Sequence, residues 1–492
     1  MAEEKNVKAG TATVDPVIIK GATTASLNAD VVINLSGNFF VEISAGVNVT
    51  DWFTNRPSGL SAAVKEDVSE GDTTITITVS GTPTQLSTQV LAITISSSAL
   101  QSGPAIPVAT NPNAKYDIAF GIGTAARLGE FAAAVAGGNL TLNARLTTTT
   151  PIDATGVAGI PISRDYAHAY QGNFDGNGGT IKINLTSKTG FLALFGINDG
   201  TIHDLTVTGS VTLQLDPAVK EADYIAGVVA YNDIYGTITR VINKAAVMAA
   251  TTSPTQAETT HNIGGIAGFN GWDQYNNASP HAGVSPTSGQ PVGTISQCRN
   301  DGAIKGGFNK IGGIAGENAG DIEQCSNTGK ITCVKAKIDR GWPGVGGIVG
   351  RNGNNNDATE YGNIKDCYNQ GEIADNTVEG SEQDAYGGIA GWCDKFSTIY
   401  NCYTTGDFTQ DEGPAKSGNI NPIIGMVDDE QPATGNNYAL NTLFAPSKDP
   451  KLIGIPKSDT EMKAPAFVGL LNGGGTGPYV AVSGKYPKLG WE

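Results

Sequence analysis

The sequence predicts an all-β fold in which a parallel β-helix, or β-solenoid, carries a short helical N-terminal cap and follows an antiparallel β-sandwich. Three observations predict it: a turn-rich composition poor in helix formers, two short motifs recurring in fixed order, and an N-terminal stretch of alternating strand pattern. The chain has 492 residues with 65 Gly and only 16% charged side chains. That length exceeds one ordinary hydrophobic core, and repeat architectures escape the limit because each unit packs only on its neighbours. A net charge of −16 opposes binding to nucleic acid or an anionic membrane surface, both of which call for clustered Lys and Arg. No stretch approaches the ~18 apolar residues of a membrane-spanning helix. The start, MAEEKNVKAG, has no signal-peptide hydrophobic region. With the architecture below, the expectation is a mature extracellular form bearing an added initiator Met.

Along the chain, residues 1–11 read as an extended or disordered lead. Residues 12–100 alternate apolar and polar side chains, as in Ile75, Ile77 and Val79 between threonines, so one face is buried and one is wet. That is the pattern of an antiparallel sandwich. Residues 101–123, opening QSGPAIPVATNPN, read as a proline-rich linker and entry strand. In TAARLGEFAAAVAG (124–137), Leu128, Phe131, Ala132 and Val135 have helical spacing. The predicted helix covers the open end of the solenoid and hides its strand edges.

Residues 124–428 carry the repeats. A first motif reads IAGVVAYN (225–232), IGGIAGFN (263–270), IGGIAGEN (311–318), VGGIVGRN (345–352) and YGGIAGWC (386–393), with a degenerate copy IIGMVDDE at 423–430. A second follows each full copy: GTITRVINKAAV (236–247), GTISQCRNDGAI (293–304), GDIEQCSNTGKI (320–331), GNIKDCYNQGEI (362–373) and STIYNCYTTGDF (397–408), after an earlier GTIHDLTVTGSV (200–211). Strands this short pair with the same block of the next coil, about 4.8 Å away, so like residues stack on like. Two structural ladders follow. One contains Val241, Cys298, Cys325, Cys367 and Cys402; the other contains Asn243, Asn300, Asn327 and Asn369. The cysteines read as small core residues, with no CxxC or His partner for zinc. The paired glycines either take positive φ or let backbone pass closely at a corner. Residues 429–492 read as a C-terminal cap, with Met462, Phe467, Leu470 and Leu471 on one helical face.

At this point the residues resemble bacterial surface proteins with GLUG-type repeats. The likeness spans about residues 125–492 and includes QGNFDGNGGTIKINL (171–185), FLALFGINDGTIHDLTVTGSV (191–211) and the exit SDTEMKAPAFVGLLNGG…YPKLGWE. It implies a right-handed β-helix displayed outside the cell. Some such proteins are adhesins, and some attach the repeats to a zinc protease that cleaves immunoglobulin. That protease needs HExxH, which this sequence lacks. The stretch GVNVTDWFTNRPSGLSAAV resembles Ig-like modules that precede such repeats.

No residue earns a catalytic assignment. Polysaccharide-active β-helix enzymes line a groove with carboxylates and basic residues. The strands here offer Thr, Asn, Gln and single charges such as Glu323 and Lys365, and Asp428-Asp429-Glu430 reads as a surface turn. The histidines (His168, His203, His261, His281) are scattered, and no cofactor is implied. NFDGNGG (173–179) resembles a calcium turn but lacks a tandem repeat, so structural calcium is unsupported. An ice-binding array would need Thr at a fixed ladder position, and the motifs read as having none. Trp272, Tyr275, Trp342 and Trp392, on loops or motif ends, are the candidate ligand-binding residues, since aromatic side chains anchor glycan and protein contacts. The expected function is adhesin-like binding of a host or environmental glycan or protein through solenoid loops. A self-associating stalk or filament subunit is the first alternative and a polysaccharide-active enzyme the second.

Overall fold

The computed structural model describes residues 10–188, 190–214, 223–250, 261–272, 292–307, 310–334, 344–353, 361–375, 385–410, 419–427, 432–443 and 449–492. The chain forms two compact units, residues 1–123 with 143–147, and residues 124–142 with 148–492.

In the first unit, six strands lie in the order Leu60–Val64, Thr74–Gly81, Leu27–Ser36, Thr11–Val14, Ile106–Ala109, Thr94–Ile95. A second layer pairs Val17–Ala22 with Ala114–Ile122 in parallel, and Ala114–Ile122 with Ala144–Leu146. Ile33, Phe40, Ile77, Val79, Ile95 and Tyr116 bury themselves in one core. Two expectations need correction. Pairing is mixed rather than antiparallel, since Thr11–Val14 runs parallel to Ile106–Ala109. The break lies at Asp15-Pro16, where the ring nitrogen has no proton to give and the chain changes sheets. The stretch read as a proline-rich linker also contains a strand, Ile106–Ala109, built into the six-stranded sheet. Of the predicted N-terminal lead, residues 1–9 lie outside the described residues.

The second unit is mostly β and is built from stacked parallel sheets, consistent with a β-helix-like fold. Sheet A has seven strands: Phe191–Leu192, Asp223–Ala226, His261–Gly264, Lys310–Gly312, Gly344–Gly346, Ala385–Gly387 and Asn419–Asn421. Sheet B has seven more: Phe195–Asn198, Val229–Asn232, Ala267–Gly271, Ala315–Ala319, Val349–Asn352, Ala390–Cys393 and Ile424–Val427. The second motif forms the third sheet, C, in which Ile202, Ile238, Ile295, Ile322, Ile364 and Ile399 pair in register. Among the described residues of sheets A, B and C, strands pair with their counterparts in the neighbouring rungs.

Two asparagine ladders tie the rungs at two corners. Nδ2 of Asn243 donates to Asn300 Oδ1, Asn300 to Asn327, and Asn327 to Asn369, each at 2.8 Å. The same amides donate to the carbonyls of Ala245, Gly302, Gly329 and Gly371 at 2.9–3.1 Å. The second ladder runs Asn198, Asn232, Asn270, Asn318, Asn352 at 2.7–2.9 Å and ends on Cys393 Sγ at 3.6 Å. All nine asparagines are fully buried. Glycine makes the room. A Cβ on Gly313 would lie 2.1 Å from the Gly347 carbonyl and 2.5 Å from Asn327 Cγ. The paired glycines 264–265, 312–313, 346–347 and 387–388 therefore serve close approach, and none has positive φ. Positive φ belongs to the residue before the cysteine ladder: Asp204, Arg240, Gln297, Gln324, Asp366, Asn401 and Asn436, at 52–55°.

The rest of the sequence reading is adjusted at both ends. The helix spans Ala125–Ala136 behind Thr124 as N-cap, and Phe131 packs on Tyr170 and Phe174 with centroids 5.7 and 5.6 Å apart. The degenerate first motif begins three residues earlier than expected, because Tyr386 pairs with Ile420 and Trp392 with Met426. Stacking continues past residue 428: Ala433–Gly435 and Tyr438–Leu440 form another rung, followed by Ile455–Lys457. Residues 459–492 do not cap the end. They lie along the flank, where Met462, Phe467, Leu471, Tyr479 and Leu489 bury the column Tyr368, Tyr403, Tyr438, while Leu470 stays exposed. Tyr368 donates its hydroxyl to the Glu492 carboxylate at 2.8 Å, and Trp491 Nε1 donates to the Gln324 carbonyl at 2.9 Å.

Replacing a ladder amide leaves buried carbonyls and a neighbouring amide unpaired, each worth about 1–3 kcal/mol. Asn327→Ala is therefore expected to cost about 3 kcal/mol in urea denaturation, with amide-exchange protection falling first in the adjacent rungs. Thr328→Ala, one residue away and exposed, should stay within about 0.5 kcal/mol. Equal effects would mean that the ladder does not hold the rungs.

Candidate functional site: the outer face of the stack

The predicted aromatic anchors do not form a site. Trp272 and Trp392 are buried, at 6% and 1% exposure, and Tyr275 and Trp342 lie outside the described residues. Register explains Trp392. It shares a column of sheet B with Tyr231, Phe269, Glu317, Arg351 and Met426, all but the last fully packed. The column changes chemistry along the stack. Tyr231 stacks on Phe269 at 5.0 Å, with Tyr224 edge-on to both. Charges follow: Lys310 Nζ lies 2.5 Å from Glu317, Arg351 bridges Glu317 at 3.5 Å and Asp394 at 2.7 Å, and Asn262 donates to Glu317 at 3.2 Å. Buried charges arranged alternately in this way satisfy one another, which identifies a structural network rather than a ligand site.

The four ladder cysteines are buried free thiols. Each Sγ–H donates to the carbonyl two residues back, for example Cys325 to Glu323 and Cys367 to Lys365, at 3.2 and 3.1 Å. Burial pushes the thiols of Cys325 and Cys402 well up, and all four ladder thiols are closed to solvent.

What faces water is sheet C. Its outward side chains form three columns. The first is Thr201, Thr237, Thr294, Asp321, Asn363, Thr398 and Ala433; the second is His203, Thr239, Ser296, Glu323, Lys365, Tyr400 and Gly435. Thr thus does recur at one ladder position, four times, contrary to the sequence reading; Asp321 and Asn363 interrupt it. The third column is the positive-φ series from Asp204 to Asn436, in which Asp366 is buried. Neighbours bond along the stack: Ser296 to Thr239 at 3.1 Å, Gln297 to Gln324 at 3.2 Å, Asn363 to Asp321 at 2.8 Å, Thr398 to Asn363 at 2.7 Å, and Asn401 to Asp366 at 3.0 Å.

At the first rungs these columns bring together Asp175, His203, Asp204 and Arg240, a group the sequence reading missed. The signal was present, since NFD, TIHD and TITR occupy one register, but their spacing along the chain hid it. His203 Nδ1 lies 2.6 Å from Asp204 and 3.8 Å from Asp175. Arg240 forks onto both Asp204 oxygens at 2.6 and 2.8 Å. The Arg240 hydrogen bond, reinforced by His203, pulls the Asp204 carboxyl down to about 2. The ligand atoms of Asp175, His203 and Asp204 lie within 4.8 Å of one another, a spacing that would suit a cation. The guanidinium already supplies positive charge to Asp204, and a carboxylate ionised at pH 7 donates no proton there. Within the NFDGNGG turn, Asp175 Oδ1 accepts the Asn177 amide at 2.8 Å, as in an Asx turn. His168 pairs with Asp165 at 2.8 Å, His261 is buried, and His281 and the acidic run 428–430 lie outside the described residues. A cavity of about 470 Å³ lined by Ile160, Pro161, Arg164, Leu185 and Phe191 opens beside the first strands, with Arg164 spending Nε and Nη2 on the carbonyls of Pro161 and Ile160.

Comparison with known proteins adds the following. The family model of the GLUG motif matches residues 309–332 and 343–374, so the chain carries GLUG-type repeats. No curated protein matches. Among solved structures, a provisionally named immunoglobulin A1 protease from Bacteroides ovatus is similar, at 16% identity and a TM-score of 0.47, over 76% of this chain and 93% of that one.

Two outcomes follow. A carboxyl whose folded pKa lies below its unfolded value stabilises the fold above that unfolded value, and the contribution disappears as pH falls through the folded one. For Asp204 the window runs from 3.8 down to about 2. Arg240→Gln should shrink the loss of thermal stability over that window, and an unchanged acid profile would exclude the fork as its source. The buried thiols should remain unreactive to an aromatic disulfide reagent until urea unfolds the chain; fast native labelling would contradict their burial.

Proposed function

We propose that this chain is a non-catalytic, adhesin-like binding protein displayed on a bacterial surface or secreted. We read the stacked sheets as a right-handed parallel β-helix that presents recognition surfaces to a host or environmental glycan or protein. One observation carries this reading: chain-length variation is confined to two of the three corners. Sheet A always joins sheet B through two residues, as at 265–266, 313–314, 347–348 and 388–389. Sequence between sheets B and C, or C and A, varies from rung to rung and includes 273–291, 335–343 and 376–384. A rigid scaffold with variable connections on chosen sides is the usual arrangement for recognition. The GLUG repeats support an extracellular setting through the likeness given above.

Two alternatives are weaker. A stalk that polymerises end to end needs open strand edges, whereas Phe131 covers the first rung and Ile455–Lys457 adds a short strand to the last. A polysaccharide-active enzyme would draw on Asp175, His203 and Asp204, but the Arg240 fork holds Asp204 as a structural anion. The test is an array of glycans and matrix proteins probed with the intact chain and with a variant lacking residues 273–290. Specific binding, whether or not it needs that segment, supports a recognition protein. No binding, together with rod-like polymers on size-exclusion chromatography, would move the assignment to the stalk.

A further inference from the structure

Sheet C repeats the same outward chemistry once per rung. Successive rungs lie about 4.8 Å apart, and the two outward positions of one strand about 7 Å apart. The face is therefore a flat strip of hydroxyls and amides, two to three side chains wide and at least six rungs long. Part of its charge is paired on the protein itself. Arg240 closes on Asp204, and Lys365 Nζ lies 4.0 Å from Asp366. What remains is hydrogen-bonding capacity, held in place by the bonds that link neighbouring rungs, together with the carboxylates of Asp321 and Glu323 on one middle rung. Such prior ordering lowers the entropy cost of binding.

One end of the strip departs from the polar pattern. Tyr400 is 38% exposed, and the next rung places Gly435 where a side chain would stand. A Cβ on Gly435 would lie 3.0–3.1 Å from the Tyr400 ring, so the ring rests over the glycine. Phe396, just before the same strand, is also exposed, at 41%. The aromatic end and the hydroxyl-amide rows together match a chain of rings with apolar faces and hydroxyl rims.

We propose that the outer face of sheet C is a docking track for a linear, uncharged polysaccharide, with the Tyr400 ring as its stacking platform and Thr398, Asn363, Ser296 and Thr294 as hydrogen-bonding partners. The occupant follows from complementarity. The Asp321 and Glu323 carboxylates on the strip repel a polyanion, and its rung repeat is close to the advance of one sugar residue in an extended chain. The track rests on the recognition function proposed above, but assigns it to the sheet rather than to the loops.

The test is affinity electrophoresis of the full chain through gels containing soluble β-1,4-glucan, α-1,4-glucan, xylan or mannan. At least one gel should retard the chain. Tyr400→Ala and Thr398→Lys should each weaken retardation at least tenfold with an unchanged thermal midpoint. Gly435→Val, which displaces the ring without removing it, should weaken it as well. Deleting residues 273–290 should leave retardation intact. Retardation lost on that deletion but kept in Tyr400→Ala would overturn the track and leave recognition through loops standing. Array binding to proteins or charged glycans alone, with no retardation in any gel, would also overturn the track and leave the broader function. Absence of binding in both assays would overturn both.

Discussion

The architecture depends on one interlock, between a buried asparagine amide and the glycines that make room for it. An asparagine inside an apolar stack is costly unless all its hydrogen-bonding groups are used. Here Nδ2 of Asn300 meets both Asn327 Oδ1 and the Gly302 carbonyl, while its own Oδ1 accepts from Asn243 and from the Gly302 amide. That geometry leaves no space for a Cβ at Gly265, which would lie 2.4 Å from Asn300 Cγ. The two motifs are far apart in sequence but are two sides of one contact. This is why they recur together and in fixed order. The same contact fixes register, because a one-residue slip would leave buried amides unpaired and drive side chains into backbone.

How much of this could be read in advance follows from what repeats. Stacking was legible because Cys298, Cys325, Cys367 and Cys402 occupy one motif position, and the asparagines another. The helix at Ala125–Ala136 was legible from four apolar residues at helical spacing. The second asparagine ladder was equally visible, as the last residue of the first motif, yet its role needed the neighbouring carbonyls to be in place. The Asp175–His203–Asp204–Arg240 group and the threonine column were hidden for a different reason. They exist only across rungs, whereas the motifs repeat most plainly at their apolar positions. Trp392 misled because a bulky aromatic at a motif's end resembles an exposed anchor, whereas its column is closed to water from Ile197 to Trp392. The flank packing of residues 459–492 had no local signal at all, since the tyrosine column it covers is assembled from three separate repeats.

Inside and outside of this protein follow opposite rules for polarity. Interior polar groups are largely committed to one another, as amide ladders or as the Lys310–Glu317–Arg351–Asp394 chain. Sheet C turns outward a surface many of whose hydroxyls and amides are ordered by bonds between rungs. A binding surface of this kind needs no movement of the scaffold, and the scaffold needs nothing from the ligand. Changes on the outer columns should therefore be largely separable from stability, while changes in the ladders should not.

The ladders also have a direction. Along each ladder Nδ2 donates to the next asparagine towards the C-terminal end, and both chains stop there: one on the soft acceptor Cys393 Sγ, the other below Thr404, whose buried hydroxyl has no partner among the described residues. A row of links in series comes apart from its weakest end. The flank segment grips that end, with Tyr479 bonded to the carbonyls of Cys367 and Asn401 and Tyr403 bonded to Pro487. Under a mechanical pull on the stack, the segment would act as a clasp on the final rungs, and unravelling would wait for it to peel away.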